Sequence, residues 1–307
     1  MDETNPSLPL WEMLADRWQK TLKAKGLSRH TERGYLYTAR RWSEWLAGER
    51  YDLEPTEVRS DHIDEFIAGV IGSTSAANGA HHYRHLRVFW AWLVKREKIA
   101  TGCPMDDTEP PRGGEKLTPL LSAQEHQAIA DACGGRDFLS RRDLAIILMF
   151  MDTGVRVSEL AQVDRTNIDL AKRRFTIVGK GNRERWVGFG ADTGLALTRY
   201  LRLRDKGHES ESAALWLSRH RRPLTINGIQ HMLNRRGREA SVSGSLHPHR
   251  LRHDFSHRWK LVGGSDEGLM TIAGWTSEKM ARHYGKSAQM ERALAEQQRL
   301  ALGDRVS

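Results

Sequence analysis

The sequence of 307 residues is poor in cysteine and has no long apolar run. Its two cysteines, Cys103 and Cys133, form no CxxC pair, which argues against a disulfide framework or a structural zinc site and favours a reducing cytosol. The longest apolar stretch, LAIILMFM from Leu144, is too short to cross a bilayer. The acidic start MDETNPSLPLW does not look like a secretory signal peptide. We therefore expect a cytoplasmic protein without a membrane partner.

Negative charge is scarce in one part of the chain only. Residues 1–118 hold 17 Lys and Arg against 18 Asp and Glu, whereas residues 119–307 hold 31 against 21. The whole chain carries a formal charge of +9, with an isoelectric point near 9.7. Lysine and arginine attract polyanions because they release the counterions that phosphates condense. The second part is therefore expected to carry the main phosphate-binding surface.

Helical periodicity dominates residues 8–100, which we predict to form a small helical bundle. TERGYLYTARRWSEWL places Ala39, Trp42 and Leu46 on one stripe, and six of the ten tryptophans fall in this region. These tryptophans are expected to fill a core rather than to stack on bases. The exposed basic side chains are either a solvated face or DNA contacts, and the candidates for such contacts are Arg33, Arg40, His81, Arg84 and Arg87.

Residues 101–118, TGCPMDDTEPPRGGEKLT, have the proline, glycine and acid content of a linker, so a second domain is predicted over 119–307. Ser122 followed by Glu125 is a capping box that starts its first helix. RFTIVGKGNRERWVGF predicts a hairpin of two strands. The expected fold class is mainly α with a small antiparallel β-hairpin or sheet: a helical first domain and an α+β second domain.

TGVRVSEL places Arg156 where one helix ends at Gly154 and another begins. A helix N-terminus favours anions, and Glu159, three positions on, can orient the guanidinium. The pattern fits either an anion site or a simple helix cap with a salt bridge.

Lys180 lies near the tip of the predicted hairpin, followed by Arg183, another candidate DNA contact. An ammonium on a hairpin tip can reach a site formed elsewhere and donate a proton to a leaving oxygen. An ordinary exposed lysine would look the same in the sequence.

HPHRLRHDF, residues 247–255, concentrates three histidines and two arginines. A metal site is disfavoured because no Glu stands between His249 and His253 and because two arginines lie alongside. A phosphate cradle fits better than a metal site, because Pro248 suits a helix start and His249 and Arg252 at positions i and i+3 share one side. A solvated basic face stays open from these residues alone.

In this order, Arg156 with Glu159, Lys180, His249 with Arg252, Trp275 and Tyr284 resemble the tyrosine recombinases, the phage integrase family. The matching boxes are TGVRVSEL, VGKGNRERWV, HRLRH and AGWTSEKMARHYGKS. Trp275 stands where many members have a second histidine, and its indole N–H keeps a donor. The helical first part is similar to the family's SAM-like core-binding domain. WKLVGGSDEGLMTIAGW is more similar to integrases of actinobacterial phages and mobile elements than to chromosome-dimer resolvases.

The resemblance implies a site-specific recombinase in which Tyr284 attacks a DNA phosphodiester and forms a 3′-phosphotyrosine. Arg156, Arg252, His249 and Trp275 would stabilise the charged phosphorane, and Lys180 would protonate the 5′-oxygen. No cofactor, metal or ATP is implied. The implied partners are double-stranded DNA attachment sites and three further copies in a DNA-bound tetramer, docked through the tail AQMERALAEQQRLAL. A directionality factor or host architectural protein fits the same picture, as does association with the bacterial nucleoid.

Several alternatives remain open from the sequence. An Xer-like chromosome or plasmid resolvase shares every motif with a phage integrase. A type IB topoisomerase shares the chemistry but relaxes supercoils as a monomer. An inactive DNA-binding protein could have lost any of these reactive residues without penalty, and a metal hydrolase would lose its activity in EDTA.

Overall fold

The computed structural model describes residues 8–97, 102–112, 119–179, 184–206, 212–275 and 277–302, with only the backbone at 8, 9, 278–280 and 282–287. The chain divides into two compact units, Met1–Lys116 and Leu117–Ser307. The described elements are mostly helices with one small antiparallel sheet, which confirms the predicted fold class. None of the described helices is long and apolar enough to cross a membrane.

Over its described residues, the first unit is a bundle of four helices: α1 (Leu8–Ala24), α2 (Arg29–Gly48), α3 (Ser60–Ser73) and α4 (Ala76–Arg96). Ser28 and Ser75 cap α2 and α4 by accepting hydrogen bonds from backbone N–H groups in the first turn. Aromatic rings fill the core, and the tryptophans that are at most 1% exposed are Trp11, Trp18, Trp42 and Trp90. The prediction that tryptophans build this core is confirmed.

Part of the predicted linker packs into the first unit. Met105 is fully buried in the first unit's core, and Tyr83 Oη donates a hydrogen bond of 2.8 Å to the carbonyl of Thr108. Proline and acid content suggested a free connection, but one apolar side chain and one buried hydroxyl are enough to anchor this stretch. Residues 113–118 lie outside the described part of the chain.

The second unit is built from eight helices and three strands among its described residues. Its helices are α5 (Ala123–Asp131), α6 (Phe138–Thr153), α7 (Val157–Ala161), α8 (Ala191–Arg204), α9 (Ile226–Glu239), α10 (Pro248–Leu261), α11 (Asp266–Ala273) and α12 (Glu278–Leu300). The apolar helix α6 packs against α8 and α10 in the middle of the unit. Ser122 and Glu125 form the predicted capping box of α5.

The sheet has the order β1-β2-β3, with β1 (Ile168–Asp169), β2 (Arg174–Val178) and β3 (Glu184–Gly188) all antiparallel. Strands β2 and β3 pair from Arg174 with Gly188 to Val178 with Glu184, which confirms the predicted hairpin. The short strand β1 was not predicted, because two residues are too few to show alternation.

Buried arginines are a feature of the second unit. Asp143, fully buried on α6, accepts hydrogen bonds from Arg142, Arg235 and Arg236 at 2.6 to 2.9 Å. A buried carboxylate needs such partners because the low dielectric penalises an unpaired charge. The arginines that are at most 7% exposed are Arg142, Arg204, Arg236, Arg250 and Arg252.

Candidate active site

Arg156 lies at the junction between α6 and α7. Helix α6 ends at Gly154, whose φ of 56° is left-handed, and Arg156 is the N-cap of α7. A Cβ at Gly154 would collide with the Phe255 ring of α10, so only glycine allows the two helices to approach this closely. The Arg156 side chain is 44% exposed, which leaves part of its guanidinium accessible.

Glu159 orients Arg156, as predicted from their spacing. Its carboxylate accepts hydrogen bonds from the Arg156 backbone N–H at 2.9 Å and from the Arg156 Nη1 at 3.0 Å. The carboxylate also accepts a bidentate pair of hydrogen bonds from Arg185 of β3, at 3.1 and 3.0 Å. Burial alone would raise the pKa of Glu159, but the hydrogen bonds and charges of both arginines hold that pKa below its usual value.

Three arginines converge on the carbonyl groups at the end of α11. Arg185 Nε donates to the carbonyl of Ile272 at 3.0 Å, Arg252 Nη2 to that of Ala273 at 2.8 Å, and Arg156 to those of Ala273 and Gly274 at 3.4 and 3.3 Å. The last carbonyls of a helix lack intrahelical partners and carry the negative end of the helix dipole. The α11 terminus therefore fixes the positions of all three cations.

Arg252 and Trp275 lie side by side at this terminus. Arg252 is 5% exposed, and its Nη1 donates a hydrogen bond of 2.6 Å to the Gly154 carbonyl, where the Arg156 segment begins. The Arg252 Cζ lies 5.0 Å from the centre of the Trp275 ring, a cation–π distance. Trp275 is 7% exposed and follows the left-handed Gly274.

His249 is exposed in the first turn of α10, three residues before Arg252. Its ring makes an edge contact with that of His253 at 4.7 Å. The N-cap of α10 is His247, whose Nδ1 accepts a hydrogen bond from the Arg250 backbone N–H. Burial, and then the nearby charge of Arg250, lower the pKa of His247, which favours the neutral ring that can accept this hydrogen bond.

Other residues predicted for the site lie partly or wholly outside the described chain. Lys180 and Arg183 fall in the undescribed segment 180–183. Tyr284 lies on α12, whose backbone is described there while the side chain is not. Within the described residues, no group of three or more His, Cys, Asp or Glu could hold a metal ion. The independence of catalysis from metal stays a prediction.

Arg185 is the site residue that sequence reasoning missed. Strand β3 alternates, so that Arg185 and Val187 are more buried than Glu184, Trp186 and Gly188. An arginine in the inward register of a hairpin strand needs an internal acceptor, and that pattern could have drawn attention to it.

The candidate DNA contacts of the first unit differ in their surroundings. Arg33 and Arg84 are exposed on α2 and α4, and exposed Arg40 lies 3.5 Å from Asp16. His81 is exposed and contacts His85, with ring centres 3.9 Å apart and ring planes tilted by 56°. Arg87 instead donates to the Met105 carbonyl at 3.2 Å and lies 3.7 Å from Asp106. Arg87 therefore braces the segment after α4 as well as facing solvent.

Two family profiles match the chain: the phage integrase family over residues 119–291, and the N-terminal SAM-like domain of phage integrases over residues 14–99. The first match covers more than half of the chain. The chain belongs to the phage integrase family. The family predicted from the four boxes is thereby confirmed, and with it the identification of this chain as a tyrosine recombinase.

Curated relatives of this phage integrase family member are named tyrosine recombinases. XerC of Ralstonia pickettii is 27% identical over 84% of each chain, and XerC of Alcanivorax borkumensis is 32% identical over 62% of each. The finer resemblance to actinobacterial phage integrases stays a prediction.

Solved structures of low identity share the fold. XerH bound to a palindromic difH substrate has a TM-score of 0.76 at 17% identity, covering 92% of this chain and 84% of that one. A lambda integrase dimer bound to a core site has a TM-score of 0.72 at 17% identity, covering 90% and 77%.

Proposed function

We propose that this recombinase cuts and rejoins DNA at specific attachment sites, with Tyr284 as the nucleophile and Arg156, Arg252, His249 and Trp275 around the scissile phosphate. The observation that carries the proposal is the convergence of Arg156 and Arg252 on the end of α11, directly before Trp275. Their positions are held by protein carbonyls before any DNA binds. Preorganised cations of this kind stabilise the charge that develops on the nonbridging oxygens.

The chemistry balances without a metal or ATP. The Tyr284 oxygen forms a bond to phosphorus as the bond between phosphorus and the 5′-oxygen breaks. Lys180 gives its proton to that 5′-oxygen, and His249 accepts the tyrosine proton. The phosphodiester energy is kept in the 3′-phosphotyrosine, so a 5′-hydroxyl from a second duplex can reverse the step. Cleavage followed by this reversal is strand exchange.

Strand exchange between two duplexes needs four copies of the chain, one for each cleaved strand. Helix α12 extends beyond Tyr284 with Met290 64% and Leu294 50% exposed. Such side chains gain free energy by docking into a neighbouring copy. We therefore include a DNA-bound homotetramer in the proposal, with host or directionality proteins as further partners.

The preferred role is integration and excision of a phage or mobile element, acting in the bacterial cytoplasm. An Xer-like resolvase is the second candidate, because the curated relatives described above carry the name XerC. Recombination assayed between two identical sites on one plasmid, and between two different sites on separate molecules, distinguishes the roles. A resolvase acts on the first substrate and an integrase on the second.

The decisive experiment is covalent capture in EDTA. The native protein and the variant Tyr284→Phe are incubated with a pool of nicked duplexes that includes the DNA flanking the gene, and SDS-resistant adducts are sequenced. Adducts with the native protein alone are expected. Adducts with both proteins would assign the nucleophile to another residue, and adducts with neither would overturn the proposal. Supercoil relaxation without joined recombinants would instead identify a topoisomerase.

A further inference from the structure

Arg185 connects three segments that carry proposed site residues. It lies on β3, five residues after Lys180 in the same hairpin. Its guanidinium forms the bidentate pair with Glu159, and its Nε donates to the Ile272 carbonyl, three residues before Trp275. The side chain is only 16% exposed, so these contacts are largely shielded from water.

The carboxylate of Glu159 is shared between Arg185 and Arg156, and this determines the net charge at the site. Glu159 is 6% exposed, and with Arg156 alone it would form a neutral pair. Adding Arg185 makes the group of three carry one net positive charge. Because a partly buried charge is weakly screened, that difference is felt at a nearby phosphate.

We propose that Arg185 is a positioning residue for DNA cleavage: it neutralises and holds Glu159, so that Arg156 keeps both its place and its positive charge for the phosphate. The inference rests on the proposed function, because it assumes that Arg156 faces the scissile phosphate. Arg185 acts through Glu159 rather than on the DNA.

The test compares two substrates that differ in one charge. Both are nicked duplexes of the sequence recovered by covalent capture, one with the natural phosphodiester and one with a methylphosphonate at the scissile position. The methyl group removes the negative charge that Arg156 would meet. A variant that has lost positive charge at the site is therefore less impaired on the methylphosphonate, whereas a variant that is simply less folded is equally impaired on both.

Two variants are informative. Arg185→Gln keeps a hydrogen-bond donor and loses the positive charge. Arg185→Lys keeps the charge and loses the planar group that donates two parallel hydrogen bonds to Glu159. For Arg185→Gln we expect single-turnover cleavage of the phosphodiester to slow by roughly 10- to 100-fold. On the methylphosphonate the loss should fall to about threefold or less, matching the pattern of Arg156→Gln. Arg185→Lys should cleave more slowly than the native protein while keeping the native ratio of the two rates.

A third variant guards against a folding defect. In the double variant Glu159→Gln/Arg185→Gln, Arg156 again carries one net positive charge and no buried carboxylate lacks a partner. It should cleave the phosphodiester faster than Arg185→Gln alone. Arg174→Gln is the matched control, since Arg174 lies in the same sheet, 4.0 Å over the exposed Trp186 ring, away from Glu159.

The outcomes separate this inference from the function beneath it. If Arg185→Gln cleaves both substrates at native rates, or loses rate equally on both, or if the double variant is slower than the single one, Arg185 has no positioning role. Those results leave cleavage by the native protein intact. Failure of the native protein to form adducts with either substrate would instead remove the proposed function and the inference together.

Discussion

Arg250 on α10 donates a hydrogen bond of 2.9 Å to the carbonyl of Pro119, the first described residue of the second unit. Two further hydrogen bonds join its guanidinium to the carbonyls of Leu120 and Ser243. Asp254, one turn along, accepts from the Leu121 backbone N–H at 3.2 Å. The chain entering the second unit is thus fastened to the helix that bears His249 and Arg252.

Replacing Arg250 should destabilise the protein. The side chain is 3% exposed, so Arg250→Ala leaves three carbonyl groups without a charged donor in a buried place. We expect a loss of about 2–3 kcal/mol in the free energy of unfolding, measured by urea denaturation. The control Arg238→Ala, at an exposed position of α9, should change it by less than about 0.5 kcal/mol. Equal effects of the two substitutions would contradict the fastening role.

Alanine substitutions at Gly274 and Gly263 distinguish the cost of a strained backbone from the cost of a steric clash. Its φ is +63°, and a Cβ there would lie 2.9 Å from the Arg185 guanidinium carbon. Gly263 also has a positive φ, +87°, but its Cβ would meet nothing within 4 Å. Both alanine variants should lose about 1 kcal/mol of stability from the backbone alone. Only Gly274→Ala should also slow cleavage, by roughly tenfold. Similar cleavage rates for the two variants would show that the Arg185 guanidinium can shift without an effect on cleavage.

Acid should weaken the first unit through His82. Burial, together with the charges of Arg41, His81 and His85, lowers the pKa of His82 from 6.5 to about 4. The unfolded chain therefore binds a proton between these values while the folded chain does not. Stability from the neutral ring is complete above pH 6.5 and is lost as the pH falls towards 4, by up to about 3 kcal/mol.

The measurement is the urea midpoint of the full chain from pH 7.5 to 4.5, compared with that of His82→Gln. The variant should be less stable at pH 7.5, since it loses the contact of Thr38 with the ring at 3.0 Å. It should then lose less stability than the native protein as the pH falls. Parallel pH profiles would mean that His82 does not titrate in this range.

The part of α12 that follows Tyr284 should control assembly rather than chemistry. Deleting residues 293–307 removes Leu294 and Leu302, which are 50% and 66% exposed. We expect the shortened protein to form tyrosine adducts on a nicked duplex but to lose the tetrameric DNA complex in native gels and light scattering. Leu294→Asp should act in the same direction, and Gln297→Asp, also exposed on α12, should not. Persistence of the tetramer after the deletion would contradict the proposal that this part of α12 docks on a neighbouring copy.

Local pattern predicted the helices, the hairpin and the pairing of Arg156 with Glu159, because each depends on residues close in sequence. The convergence at the end of α11 could not be predicted, since Ile272, Ala273 and Gly274 contribute backbone carbonyls, which any residue possesses. The role of Arg250 could not be predicted either. It stands between His249 and Arg252, and composition alone cannot tell a buried arginine from an accessible one. Met105 could not be recognised as a core residue, because one apolar side chain in a polar stretch leaves no periodicity.

The arginines buried in the second unit bear on how strongly salt should affect DNA binding. Arg142, Arg204, Arg236 and Arg250 are at most 7% exposed and donate their hydrogen bonds within the protein. They are counted in the positive excess of residues 119–307, yet they displace no counterions from a phosphate backbone. The slope of log affinity against log salt concentration reports only phosphates that are neutralised on binding. It should therefore be shallower than the composition of this unit suggests.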